Sequence, residues 1–346
     1  MDIFDANLDN AAEPDHAVPA RPGKRVHRVG VVLCPQLSLA SLGLLMDVFR
    51  MGNQLPGAHR FALTRVSQDG RSVAHTDGDL RVDGEASLLA SMDLVVVPSL
   101  WTAGAQAVAE NPGLVEALRA LPERVLVVTM CTGAYMLAAS GRLDHCRATT
   151  HWLLADDLQA AYPQVTVDPQ ENLVQQGNLI CSGGSMAGVD ACLHAVQLLT
   201  DRDTVKALAR MLVTDVNRGP QSLYMPPHGW RRHADTDVRA LQSHIASHFA
   251  QPLTLEGMAR QIHVSVRTLQ RRFLAAVGMT PMQYLQGVRI ERSKDLLETE
   301  RLSVSELAAQ VGCPDRVAFG RLFKKLTGMT PAAYRQQHQP RRPRLT

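Results

Sequence analysis

The sequence predicts two folded domains, an α/β domain built on a doubly wound parallel sheet and a smaller all-α domain at the carboxyl end. Three observations predict this arrangement. The length of 346 residues exceeds what one ordinary hydrophobic core serves. The first two hundred residues alternate apolar runs with helical stretches. The last hundred residues contain an internal repeat and carry the excess positive charge.

Near-continuous apolar runs predict the strands, because strands buried on both faces lose the alternation of a half-exposed strand. The predicted strands are 29–33, 61–66, 94–97, 125–129 and 178–181. Helical stretches alternate with them at 41–51, 105–120, 133–139 and 187–199. In such a domain we expect ligands to bind beyond the carboxyl ends of the strands.

One strand end carries a candidate ligand-binding pair. Cys131 and Thr132 stand at the bend between the strand 125–129 and the helix 133–139, and Gly133 allows a close approach of the backbone. The free N–H groups at the start of a helix favour a thiolate and also bind carboxylates. A buried structural cysteine is the alternative interpretation.

Three further side chains are candidates for the same site. Asp47, on the first predicted helix, is placed to hydrogen-bond near Cys131. His151 and Trp152 follow another strand end, and Trp152 offers an aromatic face to a cation. A capping or packing role is the alternative for His151. The small-residue turn 181–185 forms a third strand end, just before a helix.

The charge is divided unevenly along the chain. From Thr236 onward there are 17 Lys and Arg residues against 8 Asp and Glu residues, a net charge of +9, and the preceding part carries −6. A basic carboxyl-terminal third indicates a module that binds a polyanion. A merely solvated cationic face is the alternative.

The carboxyl-terminal third repeats itself. The sequence Gly-Met-Thr-Pro at 278–281 recurs at 328–331. Each Thr-Pro predicts the start of a helix, because threonine caps the free N–H groups and proline tolerates the first helical position. A helix–turn–helix pattern precedes each copy. In the first, helices capped by Thr254 and Ser265 flank a turn at 262–264. In the second, a capping box at Ser303 opens a helix, Gly312 makes the turn and Asp315 caps the next helix.

The second helix of each unit carries the candidate DNA contacts. Arg267, Gln270 and Arg271 share one helix face, and such side chains make bidentate bonds to guanine and adenine edges. Cationic side chains of the second unit are expected to hold phosphates. The predicted DNA-binding residues are Ser265, Arg267, Thr268, Gln270, Arg271, Arg316, Arg321, Lys324 and Lys325. An ordinary helical bundle is the alternative.

The segment 236–337 resembles the DNA-binding domain of AraC/XylS-type transcription regulators. One departure is Cys313, where that family usually has an aromatic residue. The residues that carry the resemblance are Thr254, Leu255, Ala259, Ser265, Leu269, Arg271, Phe273, Gly278, Thr280, Pro281, Tyr284, Arg289, Leu296, Leu297, Val304, Ala308, Val311, Gly312, Asp315, Phe319, Arg321, Leu322, Phe323, Lys324, Gly328, Thr330, Pro331, Tyr334 and Arg335.

The segment 25–201 resembles class I glutamine amidotransferase-like proteins of the PfpI type, and the whole chain resembles GlxA-type regulators. The resemblance rests on 47–50, 131–135, 137–138, 141–144, 148–152 and 181–190. It implies a flavodoxin-like sheet fused to a tandem helix–turn–helix domain. It also implies an activator that responds to an amino or quaternary-amine metabolite.

The resemblance implies no catalysis here, because hydrolases of that superfamily usually have a histidine directly after the nucleophile, whereas Thr132 follows Cys131. A cysteine nucleophile also needs a positioned base, and His151 is the one candidate. A thiol hydrolase or amidotransferase using Cys131, and a constitutive architectural DNA binder, are the alternatives. Six scattered cysteines without a CxxC pair predict neither a disulfide framework nor a metal site, and we expect no cofactor.

The expected partners are double-stranded DNA, a small-molecule effector, RNA polymerase and a second copy of the chain. With no long apolar run and no signal peptide, a cytoplasmic location without membrane contact is expected.

The predicted segments are a flexible tail (1–24), a sensor domain (25–216), a linker (217–235), a DNA-binding domain (236–338) and a basic tail (339–346). In the linker, Tyr224 and Trp230 are candidates for docking on either domain, and a solvent-exposed tether is the alternative.

Overall fold

The structure is a computed structural model that describes residues 25–57, 59–216, 218–226 and 233–338. The predicted tails at 1–24 and 339–346, and Trp230, lie outside the described residues. The first elements in chain order are β1 (Arg25–Val32), α1 (Leu39–Gln54), β2 (His59–Ser67), β3 (Gly84–Glu85), β4 (Leu94–Val97), α2 (Gly104–Glu110), α3 (Pro112–Arg119), β5 (Leu126–Met130), α4 (Ala134–Ala139), β6 (Arg147–Ala148), α5 (Ala155–Ala161), β7 (Thr166–Val167), β8 (Leu173–Gln176), β9 (Leu179–Ser182), α6 (Ala187–Leu199) and α7 (Arg202–Met211).

Seven of the described strands form one sheet in the order β3-β2-β1-β4-β5-β9-β8. All neighbours are parallel except β8 and β9, which pair antiparallel. Helices α1, α6 and α7 pack together, and α2, α3 and α4 form a second group. The doubly wound α/β fold predicted from the apolar runs is therefore confirmed. The carboxyl ends of β1, β4 and β5 meet at one edge, which is where the candidate site forms.

The predicted single helix 105–120 is wrong, because the chain breaks it into α2 and α3 at Asn111-Pro112. Proline disfavours a helical conformation in the preceding residue, and Asn111 has φ −126° and ψ 56°. Pro112 then begins α3. The edge strand β8 and the amphipathic helix α7 escaped the sequence analysis because neither has a continuous apolar run.

The carboxyl-terminal part of the described chain is helical. Its elements are α8 (Thr236–His248), α9 (Leu255–Gln261), α10 (Val266–Val277), α11 (Pro281–Thr299), α12 (Val304–Gln310), α13 (Arg316–Thr327) and α14 (Pro331–His338). The predicted caps are confirmed: Thr254, Ser265 and Asp315 accept backbone N–H groups, and Thr280 and Ser303 each form a capping box. Helix α8 was not predicted.

Two separate hydrophobic cores stabilise these helices. The first collects residues of α8 to α11 around Leu269 and Phe273, and the second collects residues of α11 to α14 around Phe319 and Phe323. Helix α11 serves both cores, with Leu285 in the first and Leu297 in the second. The duplicated sequence therefore folds into two helix–turn–helix units that share one helix.

Candidate functional site

Cys131 lies on a strained elbow directly after β5. Its φ is +53°, a value that residues other than glycine rarely adopt, and a short 3-10 turn from Cys131 to Gly133 leads into α4. A Cβ on Gly133 would lie 2.6 Å from the carbonyl oxygen of Val97 and 2.7 Å from that of Pro98. Glycine is required there because the elbow packs directly against the backbone that follows β4.

Buried hydroxyl groups surround the elbow. Thr132 Oγ1 accepts the Leu100 N–H at 2.8 Å and lies 3.3 Å from Ser99 Oγ. Thr150 Oγ1 donates to the Cys131 carbonyl oxygen at 2.9 Å. Ser41, in the first turn of α1, accepts the Ser99 N–H at 3.1 Å. The immediate surroundings of the elbow are thus polar but uncharged in the described part of the chain.

Burial raises the pKa of the Cys131 thiol above its usual value. Hydrogen bonds from Ser99, from Thr132 and from the backbone of His151 lower that pKa but do not outweigh the burial. The side chain is only 5% exposed. The thiol is therefore protonated near neutral pH, so the favouring of a thiolate expected from the helix start does not prevail.

The His151 imidazole is occupied with its own turn. Its Nδ1 accepts the Leu153 N–H at 3.1 Å, so the imidazole caps a 3-10 turn, and it lies against Gly184. Burial lowers the pKa of His151, which keeps the ring neutral. The influence of His151 on the pKa of the Cys131 thiol comes from its backbone. The ring of Trp152 is partly buried and centred 5.3 Å from that of His151.

The expected hydrogen bond of Asp47 near Cys131 does not form. Asp47 is exposed on α1, six residues beyond Ser41, and no described residue donates a hydrogen bond to its carboxylate. Helix periodicity turns that side chain away from the residues that reach the elbow.

The sequence analysis missed Trp101, which follows Leu100 and is 63% exposed with φ +51°. A tryptophan four residues after a predicted strand end was the signal available in the sequence.

Helix α10 presents the predicted base-reading side chains to solvent. Arg267, Gln270 and Arg271 are exposed on it. Ser265 and Thr268 form the cap, with their hydroxyl oxygens 2.9 Å apart and the Thr268 N–H bonded to Ser265 Oγ. Their hydroxyls therefore hold the start of the helix, while the charged and amide groups remain available.

The neighbouring Arg272 has a different role. Its guanidinium lies 2.6 Å from an Asp235 carboxylate oxygen and 2.9 Å from one of Asp237. Hydrogen bonds to these two carboxylates raise the pKa of Arg272, and the one to Asp235 lowers the pKa of that carboxyl group. Asp235 also caps α8. Arg272 thus ties the start of α8 to the recognition helix.

Helix α13 presents four cationic side chains, Arg316, Arg321, Lys324 and Lys325, all of them exposed. No carboxylate in the described ranges forms a salt bridge with any of the four, nor with Arg267 or Arg271. The two recognition helices therefore carry six cations that remain available to phosphates or base edges.

Comparisons with known proteins agree with this division. The DJ-1/PfpI family model matches residues 27–198, and a helix-turn-helix domain model matches residues 258–337. No helix of the described residues is both long and apolar enough to cross a bilayer.

Three curated relatives match along most of their length. The HTH-type transcriptional regulator GbdR of Pseudomonas aeruginosa is 26% identical over 312 residues, covering 89% of this chain and 84% of that protein. CdhR of the same organism, also an HTH-type transcriptional regulator, is 27% identical over 306 residues, with 87% and 89% covered. The HTH-type transcriptional regulator GlxA of Rhizobium meliloti is 25% identical over 335 residues, with 91% and 97% covered. This chain thus joins a segment that matches the DJ-1/PfpI family to a segment that matches a helix-turn-helix domain, and along most of its length it is similar to HTH-type transcriptional regulators.

Proposed function

We propose that this chain is a sequence-specific DNA-binding transcription regulator, an activator, and that its DJ-1/PfpI domain binds a small metabolite without converting it. The observation that carries the proposal is the pair of capped recognition helices with six exposed cations that form no salt bridge with a carboxylate of the described residues. The names of the relatives GbdR, CdhR and GlxA support the same role.

The two recognition helices have different tasks in this proposal. Helix α10 reads bases, because Arg267, Gln270 and Arg271 can pair with guanine and adenine edges in the major groove. Helix α13 has exposed cations but no amide side chain corresponding to Gln270 of α10. Its Lys324 and Lys325 hold phosphates, which position the protein without specifying the sequence.

The metabolite site is the elbow at Cys131 and the aromatic residue Trp152. A carboxylate of the ligand is suited to the backbone N–H groups of Thr132 and Gly133, and a cationic head to the face of Trp152. Trp101, exposed after β4, is a further aromatic candidate. We therefore propose an amino acid or a quaternary amine as the effector class.

Binding of the metabolite controls DNA only if its affinity differs between two arrangements of the protein. We propose that these are two arrangements of a homodimer, and that the DNA-bound activator contacts RNA polymerase. In this scheme the α/β domain binds the metabolite and the helical domain binds the DNA.

Two measurements test the proposal. Selection from a pool of random duplexes by the full chain is expected to enrich one sequence, and titration calorimetry against amino acids and quaternary amines is expected to identify a ligand. Replacing Cys131→Ala or Trp152→Ala should weaken that ligand's binding at least about tenfold through lost contacts. Cys146→Ala, a partly buried cysteine elsewhere in the same domain, is the matched control. Ligand binding that survives both site substitutions would move the site elsewhere.

A thiol hydrolase is the second candidate, favoured by the φ of +53° at Cys131 on an elbow between strand and helix. Against it stand the protonated thiol and the imidazole occupied by the Leu153 N–H. Hydrolysis of glutamine or peptide substrates that is abolished by Cys131→Ser would establish this candidate. We expect no such turnover.

A further inference from the structure

The first part of the predicted linker is bound tightly to the α/β domain. This segment, 218–225, is called the latch below. Tyr224, one of the residues expected to dock, is 66% exposed. The docking is made instead by Gln221, which is only 3% exposed, and by Arg218.

The Gln221 carboxamide sits in a site built from four hydrogen-bonding groups. Its Nε2 lies 3.1 Å from Thr149 Oγ1, 2.8 Å from the Thr150 carbonyl oxygen and 3.0 Å from the Glu171 carbonyl oxygen. Its Oε1 accepts the Trp152 N–H at 3.3 Å. Three acceptors converge on one amide nitrogen, and a donor meets the oxygen, so both ends of the carboxamide are recognised.

The small-residue turn 181–185 makes room for this side chain. A Cβ on Gly183 would lie 2.7 Å from Gln221 Oε1 and 2.8 Å from its Cδ. A Cβ on Gly184 would lie 3.1 Å from the His151 ring. The two adjacent glycines therefore leave space for the latch and for a residue of the candidate site.

An ion pair provides a second anchor. Arg218 Nε donates to both carboxylate oxygens of Asp190, at 3.0 and 3.2 Å, and Asp190 is only 5% exposed. Arg218 also donates to the Met186 carbonyl oxygen. The Ser222 N–H bonds to the Gln170 carbonyl oxygen at 3.1 Å, which fixes the latch backbone as well.

Two hydrogen bonds connect the latch to the elbow. Thr150 donates its hydroxyl to the Cys131 carbonyl oxygen, and its own carbonyl oxygen accepts Gln221 Nε2. A ligand that shifts the backbone at Cys131 or at Trp152 therefore displaces a direct partner of Gln221. Further along the chain, Asp235 is held by Arg272 of helix α10. Each end of the linker is thus bound to a residue adjacent to one of the two candidate sites.

Building on the proposed function, we propose that the latch is the coupling device between the metabolite site and the DNA-binding helices. Gln221 is a positioning residue in the latch, because its carboxamide hydrogen-bonds to the segment 149–152 and thereby fixes where the linker leaves the α/β domain. The effector acts by changing the stability of this carboxamide's contacts.

Hydrogen exchange of the full chain tests whether Gln221 holds the latch. In Gln221→Ala the Ser222 amide is expected to exchange about tenfold faster, because its segment loses the hydrogen bonds of the carboxamide. Gly183→Ala should give the same increase with Gln221 unchanged, since the added methyl group displaces it. The matched controls are Gln54→Ala and Gly43→Ala, an exposed glutamine and a glycine whose Cβ would meet nothing within 4 Å. Unchanged Ser222 exchange in both latch variants would refute the latch.

Two further readouts test the coupling. Alkylation of Cys131 by iodoacetamide is expected to accelerate in Gln221→Ala and Gly183→Ala, but not in the controls. Affinity for the selected duplex is expected to change at least about fivefold in the same two variants. If Ser222 exchanges faster while the alkylation rate of Cys131 and the affinity for the duplex both stay constant, the latch has only a structural role and the coupling is refuted. A wild-type chain that selects no duplex would refute the proposed function, whereas the exchange experiment would still decide on the latch.

Discussion

At the scale of single residues, the adjacent arginines 271 and 272 show how position on a helix assigns a task. Successive helical residues point about 100° apart. Arg271 is exposed, whereas Arg272 is bound by Asp235 and Asp237. The same type of side chain is therefore available for the proposed base contact in one case and holds the start of helix α8 in the other.

Arg271→Ala is expected to weaken binding to the selected duplex by about 1–3 kcal/mol and to relax the preference at one base position, because a bidentate contact to a base edge is lost. Repeating the duplex selection and measuring affinity for specific and random DNA would check this.

Lys325→Ala provides the contrast for this prediction. It should weaken binding to specific and random duplexes by a similar factor, because a phosphate contact carries no sequence information. Equal losses on both kinds of DNA with Arg271→Ala would contradict its assignment as a base-reading residue.

Another residue with consequences is His27, buried in β1. It is 1% exposed, its Nε2 lies 3.0 Å from His59 Nδ1, and its ring stacks 5.6 Å from that of Phe61. Burial lowers the pKa of His27, with repulsion from His59 and Arg25 acting in the same direction. The folded protein therefore favours the neutral ring more strongly than the unfolded chain does.

The free energy of unfolding is accordingly expected to fall with acidification. The unfolded chain takes up the proton first, near pH 6.5, so the stability is present above that pH and is lost as the pH falls towards the lower pKa of the folded state. His27→Leu should flatten this dependence by about 1 kcal/mol between pH 7.5 and 5.5. Urea unfolding at several pH values measures it. His145→Gln, at an exposed histidine, is the control substitution.

At the scale of elements, the turns of the helix–turn–helix units depend on single residues. Gly312, between α12 and α13, has φ +76°, and a Cβ there would lie 2.6 Å from the Ala250 carbonyl oxygen. This turn therefore needs glycine both for its backbone angle and for the close contact with the turn that follows α8.

Gly312→Ala is expected to destabilise the helical domain by about 2 kcal/mol or more, because it combines an unfavourable backbone angle with a clash. Gly320→Ala, in α13, should stabilise by up to about 1 kcal/mol, since its Cβ would meet nothing within 4 Å and alanine favours helix. Urea denaturation of the full chain followed by helical circular dichroism distinguishes the two. Equal effects of both substitutions would contradict the role of Gly312.

The sequence allowed the helix starts to be predicted well because a cap is a local device. The serine at 265 and the N–H that it accepts are three residues apart. The contacts of Gln221 reach back by 50 to 72 residues and require the sheet to exist first. Their pairing leaves no periodic or compositional pattern. The elbow at Cys131 was visible as a strand followed by a helix, but the burial that protonates its thiol comes from packing of distant segments.

At the scale of the whole molecule, the charge is segregated between the two parts. The segment from Thr236 onward carries +9 and the rest carries −6. Counterions released from DNA make binding by such a basic module dependent on salt, with a contribution of about 0.9 to the slope for each phosphate neutralised.

The double variant Lys324→Gln and Lys325→Gln is expected to reduce the slope of log affinity against log salt by about 2, because two phosphate contacts disappear. Fluorescence anisotropy of the full chain on the selected duplex, at several salt concentrations, measures the slope. The pair Arg119→Gln and Arg124→Gln, in the α/β domain, should leave it unchanged. A constant slope in the lysine variant would place those side chains away from the duplex.

Helix α11 has a consequence for the DNA sequence that the proposed regulator selects. Its 19 residues span about 28 Å, and because both cores are built on it, neither recognition helix can turn without the other. We therefore expect the two recognition helices to keep a fixed spacing when they bind DNA. Inserting one base pair between the DNA segments that the two recognition helices contact would move the second segment by about 3.4 Å and rotate it by about a tenth of a turn. Because the two helices cannot turn independently, we expect such an insertion to weaken binding.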